Sequence, residues 1–301
     1  MKLYQRASKE LPVQPREIKP HPYGVELGVL IKMLHDTKAR TLQSFLHTDF
    51  SRISSRVAKM ICEQANVSER SRPSRVARQE ADNLFKAINH TKIMSPPTDC
   101  LSPIGEDLIL AGLKKQIEAD FYTSVTRPPS VYRGNPFQIE AGLAFGGSLP
   151  ADKLARVLRY ANRVPLLYQQ AACAITRAVL ATGWRNYSVQ QAAGALPTGP
   201  LVIMVHMASV WVPFTSESKE AVAHYPEIIK EVRLALQECG RRLAVFIRRR
   251  RKAAESERKM AYIHKYIPHV AIALREMLKL SESQEKSIVR QLTDVLERSR
   301  S

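Results

Sequence analysis

Cysteine is scarce in this sequence, and its cysteines form no pattern typical of a metal or disulfide site. Cys62, Cys100, Cys173 and Cys239 lie far apart, with no C-x-x-C pair and no histidine at ligand spacing. Isolated thiols of this kind are typical of reduced core residues in a cytoplasmic protein. We therefore expect neither a zinc site nor a disulfide framework.

Long apolar segments are absent as well. The longest apolar run, Pro200 to Phe214, is shorter than the about 20 residues that cross a bilayer. The first residues, Met1–Arg6, lack the apolar core of a signal peptide. We expect no membrane segment and no export. Leu201–Met207 is instead typical of a strand buried on both faces, in which His206 is a hydrogen-bonded core histidine rather than a catalytic one.

The sequence also lacks a self-contained active site. It has no Walker A motif and no G-x-G-x-x-G motif, and the glycines of Gly142–Gly147 follow a strand without opening a helix. No serine or cysteine has the local context of an activated nucleophile. We predict no catalytic residue and no metal ligand in this chain, so an enzyme must take its chemistry from another chain or domain.

Acidic residues are few relative to basic ones. The chain of 301 residues has 46 Lys and Arg against 28 Asp and Glu, a formal net charge of +18. Hydrophobic residues make up 45% and charged residues 25%, which is ordinary for a globular protein. The excess positive charge therefore points to an anionic partner: nucleic acid, a membrane surface or an acidic protein.

Proline and apolar periodicity divide the chain into segments of different character, and together they predict an α+β protein. Residues 1–23 are rich in proline and form an extended strap, 24–92 form a small all-helical module, and 100–222 mix strands and helices. A long helix begins near Pro226 and is expected to end at Pro268, before a second helix and a polar tail.

Basic residues cluster near the short turns of the helical module. Helix N-termini and guanidinium groups can together hold backbone phosphates. The alternative is an ordinary solvated face. The candidates for DNA binding are Arg52, Arg56, Lys59, Arg72, Arg75 and Arg78, with Arg70 between them.

One long segment resembles a known family. Residues 126–144, TRPPSVYRGNPFQIEAGLA, resemble the transducer in the B subunit of archaeal type IIB DNA topoisomerase VI. Further stretches agree in the family's order: HPYGVEL at 21–27, RVARQEAD at 75–82, VPFTSESKEA at 212–221 and KYIPHV at 265–270.

The resemblance implies a domain organisation. The module at 24–92 is expected to be a helix-two-turns-helix fold, 100–222 a ribosomal-protein-S5-like transducer, and 223–301 the stalk helix with a tail that docks on the A subunit. Residues 1–23 are expected to be the strap that leads from a Bergerat-fold ATPase domain. The motifs of that domain are missing from this sequence, so we expect it to be supplied in cis if the chain is truncated, or in trans if the gene is split.

The resemblance also implies a function. The whole complex, an A2B2 heterotetramer, passes one DNA duplex through a transient double-strand break, with ATP and Mg²⁺ used by the complex and not bound by this chain alone. The chain would couple ATP-driven gate closure to the A subunit, which cleaves DNA. We expect it in the cytoplasm, associated with the nucleoid and not with a membrane.

Two sets of residues acquire roles from the resemblance. Lys219, between VPF at 212–214 and the stalk helix, is the candidate switch lysine for the γ-phosphate of ATP. A rival position precedes the Val-Pro step, where this sequence has Val210-Trp211 instead of Thr-Lys. The candidates for docking on the A subunit, which could instead pack on the chain's own transducer, are Tyr262, Tyr266, Ile267, Val270 and Leu274.

Two other functions compete with this one. The chain could be a non-enzymatic DNA-binding or scaffolding remnant that kept the fold after the ATPase domain was lost. It could also be a ribosome-associated RNA binder, since the same two folds occur there, but the long sequence match is lacking for that function.

Overall fold

The computed structural model describes residues 8, 12, 14–94, 97–279 and 281–298. They fall into two compact units, Met1–Leu243 and Ala244–Ser301. Helices and a mixed sheet both contribute, as the α+β prediction requires. Most of residues 1–13, the first half of the predicted strap, lies outside the described residues. Residues 14–20 have no regular secondary structure, as expected for a strap.

The helical module consists of four short helices around one apolar core. They are α1 (Leu27–Asp36), α2 (Leu42–Asp49), α3 (Ser55–Gln64) and α4 (Arg78–His90), with a 3-10 turn at Pro73–Arg75. Thr41 and Ser54 cap α2 and α3, because their hydroxyl oxygens accept hydrogen bonds from the backbone N–H of Ser44 and Val57. The largest core residues are Leu30, Leu42, Phe45, Leu46, Ile61 and Leu84.

A mixed sheet follows the helical module, between residues 121 and 209. Its strands are β1 (Phe121–Thr126), β2 (Ser130–Tyr132), β3 (Asn135–Phe145), β4 (Arg156–Ala161), β5 (Val164–Pro165) and β8 (Leu201–Ser209). The order is β1-β3-β8-β4-β5, with β2 also paired to β3, and only β4 and β8 run parallel. A separate two-stranded sheet joins β6 (Gln190–Gln191) to β7 (Pro197–Thr198).

Helices cover both faces of the sheet. On one face, α5 (Glu106–Gln116) buries Ile109 and Leu113. Gly142 of β3 makes this approach possible, since a Cβ there would lie 2.8 Å from side-chain atoms of both residues. Against β3, the long helix α7 (Pro226–Leu278) places the Cys239 thiol 3.8 Å from the Ala141 carbonyl oxygen. A shorter helix, α6 (Ala174–Leu180), is almost wholly buried.

The expected break at Pro268 is wrong, because α7 continues through it to Leu278. A proline inside a helix removes one N–H donor, which here leaves the carbonyl of His264 without its helical partner. His264 is exposed, so water can satisfy that carbonyl. No helix among the described residues is long and apolar enough to span a membrane.

The expected polar tail is helical: residues 282–298 form the helix α8 (Glu282–Arg298). Ser281 and Gln284 make a reciprocal capping box, in which the backbone N–H of Ser281 donates to the Gln284 side chain and that of Gln284 to the Ser281 hydroxyl. Arg275 of α7 forms an ion pair with Glu285 at 2.8 Å. Specific contacts therefore fix the start of this helix and its position on the end of α7.

His206 is a buried, hydrogen-bonded core residue, as predicted from the apolar strand. It lies directly opposite Glu140 in the β3–β8 pairing, and its Nδ1 is 2.7 Å from a Glu140 carboxylate oxygen. Its Nε2 accepts a hydrogen bond from the backbone N–H of Arg163, so Nδ1 carries the proton. The four cysteines are likewise buried and free, as expected.

The Glu140 carboxylate is the acceptor for four groups. The backbone N–H groups of Ile104 and Gly105, at the start of α5, each donate at 2.7 Å, and the Thr126 hydroxyl donates at 3.1 Å. Burial alone raises the pKa of Glu140, but the hydrogen bonds from His206, Ile104 and Gly105 outweigh burial and lower it. The carboxylate is thus held ionised without access to water.

We predict that Glu140→Ala destabilises the protein by about 3–5 kcal/mol, because it leaves the buried His206 and the backbone N–H groups of Ile104 and Gly105 without their acceptor. Glu140→Gln retains one acceptor oxygen and should cost less. The measurement is urea unfolding at pH 7, with Glu118→Ala, at an exposed position, as the control. Equal stability of Glu140→Ala and the control would contradict the assignment.

The pH dependence follows from the direction of the same pKa. Because the folded-state pKa of Glu140 lies below its usual 4.5, its contribution is present above that pH and is lost as the pH falls through the lowered value. Glu140→Gln should remove this part of the acid sensitivity. The measurement compares the urea midpoints of both proteins at pH 7 and below pH 4.5.

Candidate functional site

The basic residues predicted to bind DNA are all exposed, and all but Lys59 lie at or next to the first turn of a helix. Arg52 precedes α3, Arg56 and Lys59 lie on α3, and the other three lie along the 3-10 turn and the first residue of α4. Those three are Arg72, Arg75 and Arg78. None of the six forms an ion pair with a carboxylate in the part of the chain that is described.

The first turn of α2 brings the two groups of basic residues together. The backbone N–H of Gln43 donates to the Glu69 carbonyl, beside the turn that carries Arg70 and Arg72. Its side-chain amide donates to the Ser55 carbonyl at the start of α3. A single residue therefore connects both segments.

The charge of this cluster acts on its surroundings. Burial is the main reason that the pKa of His21 is lowered, and the nearby Arg52 lowers it further, against a hydrogen bond to the Met94 carbonyl. Glu80 forms no ion pair with these residues in the described structure; its carboxylate accepts a hydrogen bond from the backbone N–H of Ala77 at 2.8 Å. The exposed guanidinium groups can therefore meet an external anion.

Lys219 lies at the tip of a tight, exposed loop. Phe214 and Val222 pair at the base of the loop, and the backbone N–H of Lys219 donates to the Ser216 carbonyl at 3.1 Å. Its backbone is left-handed, with φ +56°, a conformation that costs a non-glycine residue about 1 kcal/mol or more. The Lys219 side chain is exposed at this tip.

Trp211, at the rival position, has a different environment. Its ring is stacked on that of Tyr132, with centroids 6.2 Å apart and planes inclined by 8°. The side chain is 48% exposed. It is a surface aromatic residue with no charge to offer a phosphate, so Lys219 remains the candidate switch in this loop.

The candidate docking residues of α7 lie on different sides of the helix. Tyr262, Tyr266 and Val270 follow one another at intervals of four residues and are 62%, 50% and 47% exposed. The two tyrosine rings lie 4.7 Å apart. Leu274 is half-buried. Ile267, in contrast, is only 6% exposed and lies on a covered side of the helix.

The contacts made by two residues are not visible in the sequence. Glu140 and Arg133 both lie inside the conspicuous segment at 126–144, but their partners are remote in sequence: His206 for Glu140, and Glu26 for Arg133. Only periodicity is visible locally, and it indicates a strand. Within the described residues, no group of three or more His, Cys, Asp or Glu side chains could hold a metal ion.

Comparison with known proteins identifies the sheet and the first part of α7. Residues 96–259 match the family model described as topoisomerase VI B subunit, transducer. A solved structure of the B subunit of DNA gyrase from Myxococcus xanthus aligns over 38% of this chain and 36% of its own, at 19% identity. Its TM-score of 0.28 is too low to support an argument.

Curated relatives carry the similarity further along the chain. The B subunit of type 2 DNA topoisomerase 6 from Methanococcoides burtonii is 46% identical over 92% of this chain and 44% of its own length. The protein of the same name from Archaeoglobus fulgidus is 42% identical over 97% of this chain and 48% of its own. The chain thus spans about half the length of the curated relatives it matches, and it belongs to the family of topoisomerase VI B subunits.

Proposed function

We propose that this chain is the part of the B subunit in an ATP-dependent type IIB topoisomerase that connects the ATPase domain to the A subunit. The observation that carries the proposal is the match to the transducer over residues 96–259. In this assignment 24–92 is a helix-two-turns-helix module, 100–222 an S5-like transducer, and 223–301 the stalk and docking tail.

The proposed activity belongs to a larger complex. An A2B2 heterotetramer in the cytoplasm, associated with the nucleoid, would use ATP and Mg²⁺ to pass one duplex through another. The ATPase domain would be present in cis or in trans. A non-enzymatic remnant is not favoured, since the curated relatives are named as topoisomerase subunits.

The packing of α7 suits a mechanical connector. Its first part is held to the sheet by polar contacts: Arg242 donates to the Ser124 carbonyl at 2.7 Å, and Arg127 pairs with Glu231 at 3.2 Å. The helix then continues without a break to Leu278. A displacement of the sheet would therefore act directly on the helix.

We predict that the chain binds duplex DNA without sequence preference and that the affinity falls steeply with salt. Each phosphate neutralised contributes about −0.9 to the slope of log K against log salt. Charge reversal at Arg52 and Arg75, Arg52→Glu with Arg75→Glu, should weaken binding and flatten this slope by about 2. The measurement is fluorescence anisotropy of a labelled duplex over a series of salt concentrations.

The matched control is a pair of reversals outside the cluster, Lys32→Glu with Lys38→Glu, which change the net charge equally. Both lysines are exposed in the helical module. A slope near zero for the wild type would sink the DNA-binding proposal. Equal losses in the two double variants would show that net charge, not this cluster, determines binding.

We predict that Tyr262 and Tyr266 anchor the chain on the A subunit. Buried aromatic residues dominate interfaces, so Tyr262→Ala with Tyr266→Ala should weaken co-assembly by more than about tenfold. Point variants are preferable to deletion of residues 260–301, because a deletion also removes the buried Ile267 and Ala271. The measurement is titration with the purified partner.

The control is Ile272→Ala, which removes an exposed apolar side chain from another side of the same helix. It should leave the affinity for the A subunit unchanged. If the tyrosine variant binds as well as the control, the aromatic face has been assigned to the wrong partner.

We predict that Lys219→Ala slows ATP hydrolysis and strand passage by about 10- to 150-fold when the ATPase domain is present. A charged hydrogen bond to the γ-phosphate contributes about 1.5–3 kcal/mol. Nucleotide binding should change less, because the base and Mg²⁺ contacts belong to the ATPase domain. The measurement is steady-state hydrolysis by the reconstituted complex.

Lys230→Ala is the control, since this exposed lysine lies on α7 and not in the loop. Unchanged hydrolysis in Lys219→Ala would exclude this loop as the nucleotide contact and leave the transducer without a switch lysine at either candidate position.

A further inference from the structure

The turn between β2 and β3 contacts a different part of the chain, the strap that leads into the helical module. The backbone N–H of His21 donates to the Gly134 carbonyl at 2.8 Å, and the N–H of Gly134 donates to the Tyr23 carbonyl at 3.1 Å. These reciprocal bonds pair the strap with the turn. The sheet and the helical module are thus joined by backbone at this point.

Two glycines allow the close approach. Gly24 has φ +79°, and a Cβ there would lie 2.7 Å from the backbone nitrogen of Arg133. Gly134 has φ +76°, and a Cβ there would lie 2.8 Å from a methyl group of Val25. Any side chain at either position would force the two segments apart.

The strap is in turn fixed to the end of the helical module. The Tyr23 hydroxyl donates to the Thr91 carbonyl at 2.6 Å and accepts from the backbone N–H of Ile93 at 2.8 Å. His21 lies 3.0 Å from the Met94 carbonyl. A movement of the module therefore moves the strap that contacts the turn.

Arg133 extends this contact to the base of α7. One of its terminal nitrogens pairs with Glu26, the residue that precedes α1, at 3.0 Å. The same guanidinium group lies over two aromatic rings, 5.5 Å from that of Tyr132 and 5.4 Å from that of Tyr225. The residue after Tyr225 begins α7.

The residues that flank the Lys219 loop at its two ends, Trp211 and Tyr225, both lie against Tyr132. The Tyr225 ring lies 4.2 Å from that of Tyr132, and the Trp211 ring stacks on the Tyr132 ring at 6.2 Å. Between these ends, the N–H of Ala223 donates to the Pro213 carbonyl at 2.7 Å and closes the loop. Arg133 therefore touches the module with one nitrogen and the base of the loop with its flat face.

We propose that Arg133 is a positioning residue that couples the helical module to the loop bearing Lys219, so that engagement of the module by DNA alters the loop. The roles of the module and of Lys219 rest on the proposed function. Arginine suits this place because its planar cation can pair with a carboxylate and stack on aromatic rings at once, which lysine does poorly.

The chain contains its own reporter for this coupling. Trp211 is 48% exposed and lies in the aromatic cluster, whereas Trp184, the other tryptophan, is completely buried. Acrylamide quenching of the full chain therefore reports mainly on Trp211. In the wild type, saturation with a short random-sequence duplex should change the quenching constant.

Arg133→Ala should abolish this DNA-induced change while duplex affinity stays within about twofold, since the variant removes one exposed charge. Arg133→Lys, which keeps the charge, should restore only part of the change. Arg233→Ala, at an exposed position of α7, should behave like the wild type. A full response in Arg133→Ala, or no response in a wild type that binds duplex, overturns the proposal.

A second experiment uses no DNA, so its result does not depend on the proposed DNA-binding function. Gly24→Ala should displace the strap and change Trp211 quenching as Arg133→Ala does, and the double variant should show no larger change. Glu26→Gln removes only the ion pair with Arg133 and should change the quenching constant less. It replaces Gly24→Ala if that variant does not fold. Unchanged quenching in the folded variants overturns the coupling, whereas failure to bind duplex refutes only the DNA-binding role.

Discussion

The structure depends on one buried carboxylate. Glu140 accepts hydrogen bonds from the start of α5, from the end of β1 and from His206 of β8, and His206 in turn accepts from the β4–β5 turn at Arg163. A buried charge is costly unless each of its acceptor sites is used. These elements must therefore come together as a set, which makes β3 the reference to which the others are fixed.

Two contacts of functional interest are made by β3 and by the turn that precedes it. The turn at Arg133 and Gly134 precedes β3 and contacts the helical module, while α7 packs on β3 at Ala141. Both contacts are thus connected through a single strand. The hydrogen bonds around Glu140 thus tie together the strands that carry both contacts.

Periodicity and composition predicted the sequence of helical and mixed segments, the buried strand around His206 and the free cysteines, because these depend on local pattern and burial. Pro268 does not end the helix, because the cost of a proline is local and the exposed carbonyl at His264 can be hydrated. The capping box at Ser281 and Gln284 is visible in the sequence, but it lies in a segment of few apolar residues. The burial of Ile267 is not visible there, because hydrophobicity does not say which side of a helix is covered.

The basic cluster of the helical module is the feature that folding does not explain. The module is held to the turn by backbone hydrogen bonds at His21, Tyr23 and Gly134 and by the ion pair between Glu26 and Arg133. The arginines of the basic cluster take no part in these contacts; they are exposed and lack carboxylate partners among the described residues. Their mutual repulsion slightly opposes the compact state and is relieved by a polyanion. Because DNA would contact these exposed charges, its binding need not break the contacts that hold the module to the turn. The contact through Arg133 would therefore remain in place when DNA binds, as the proposed coupling requires.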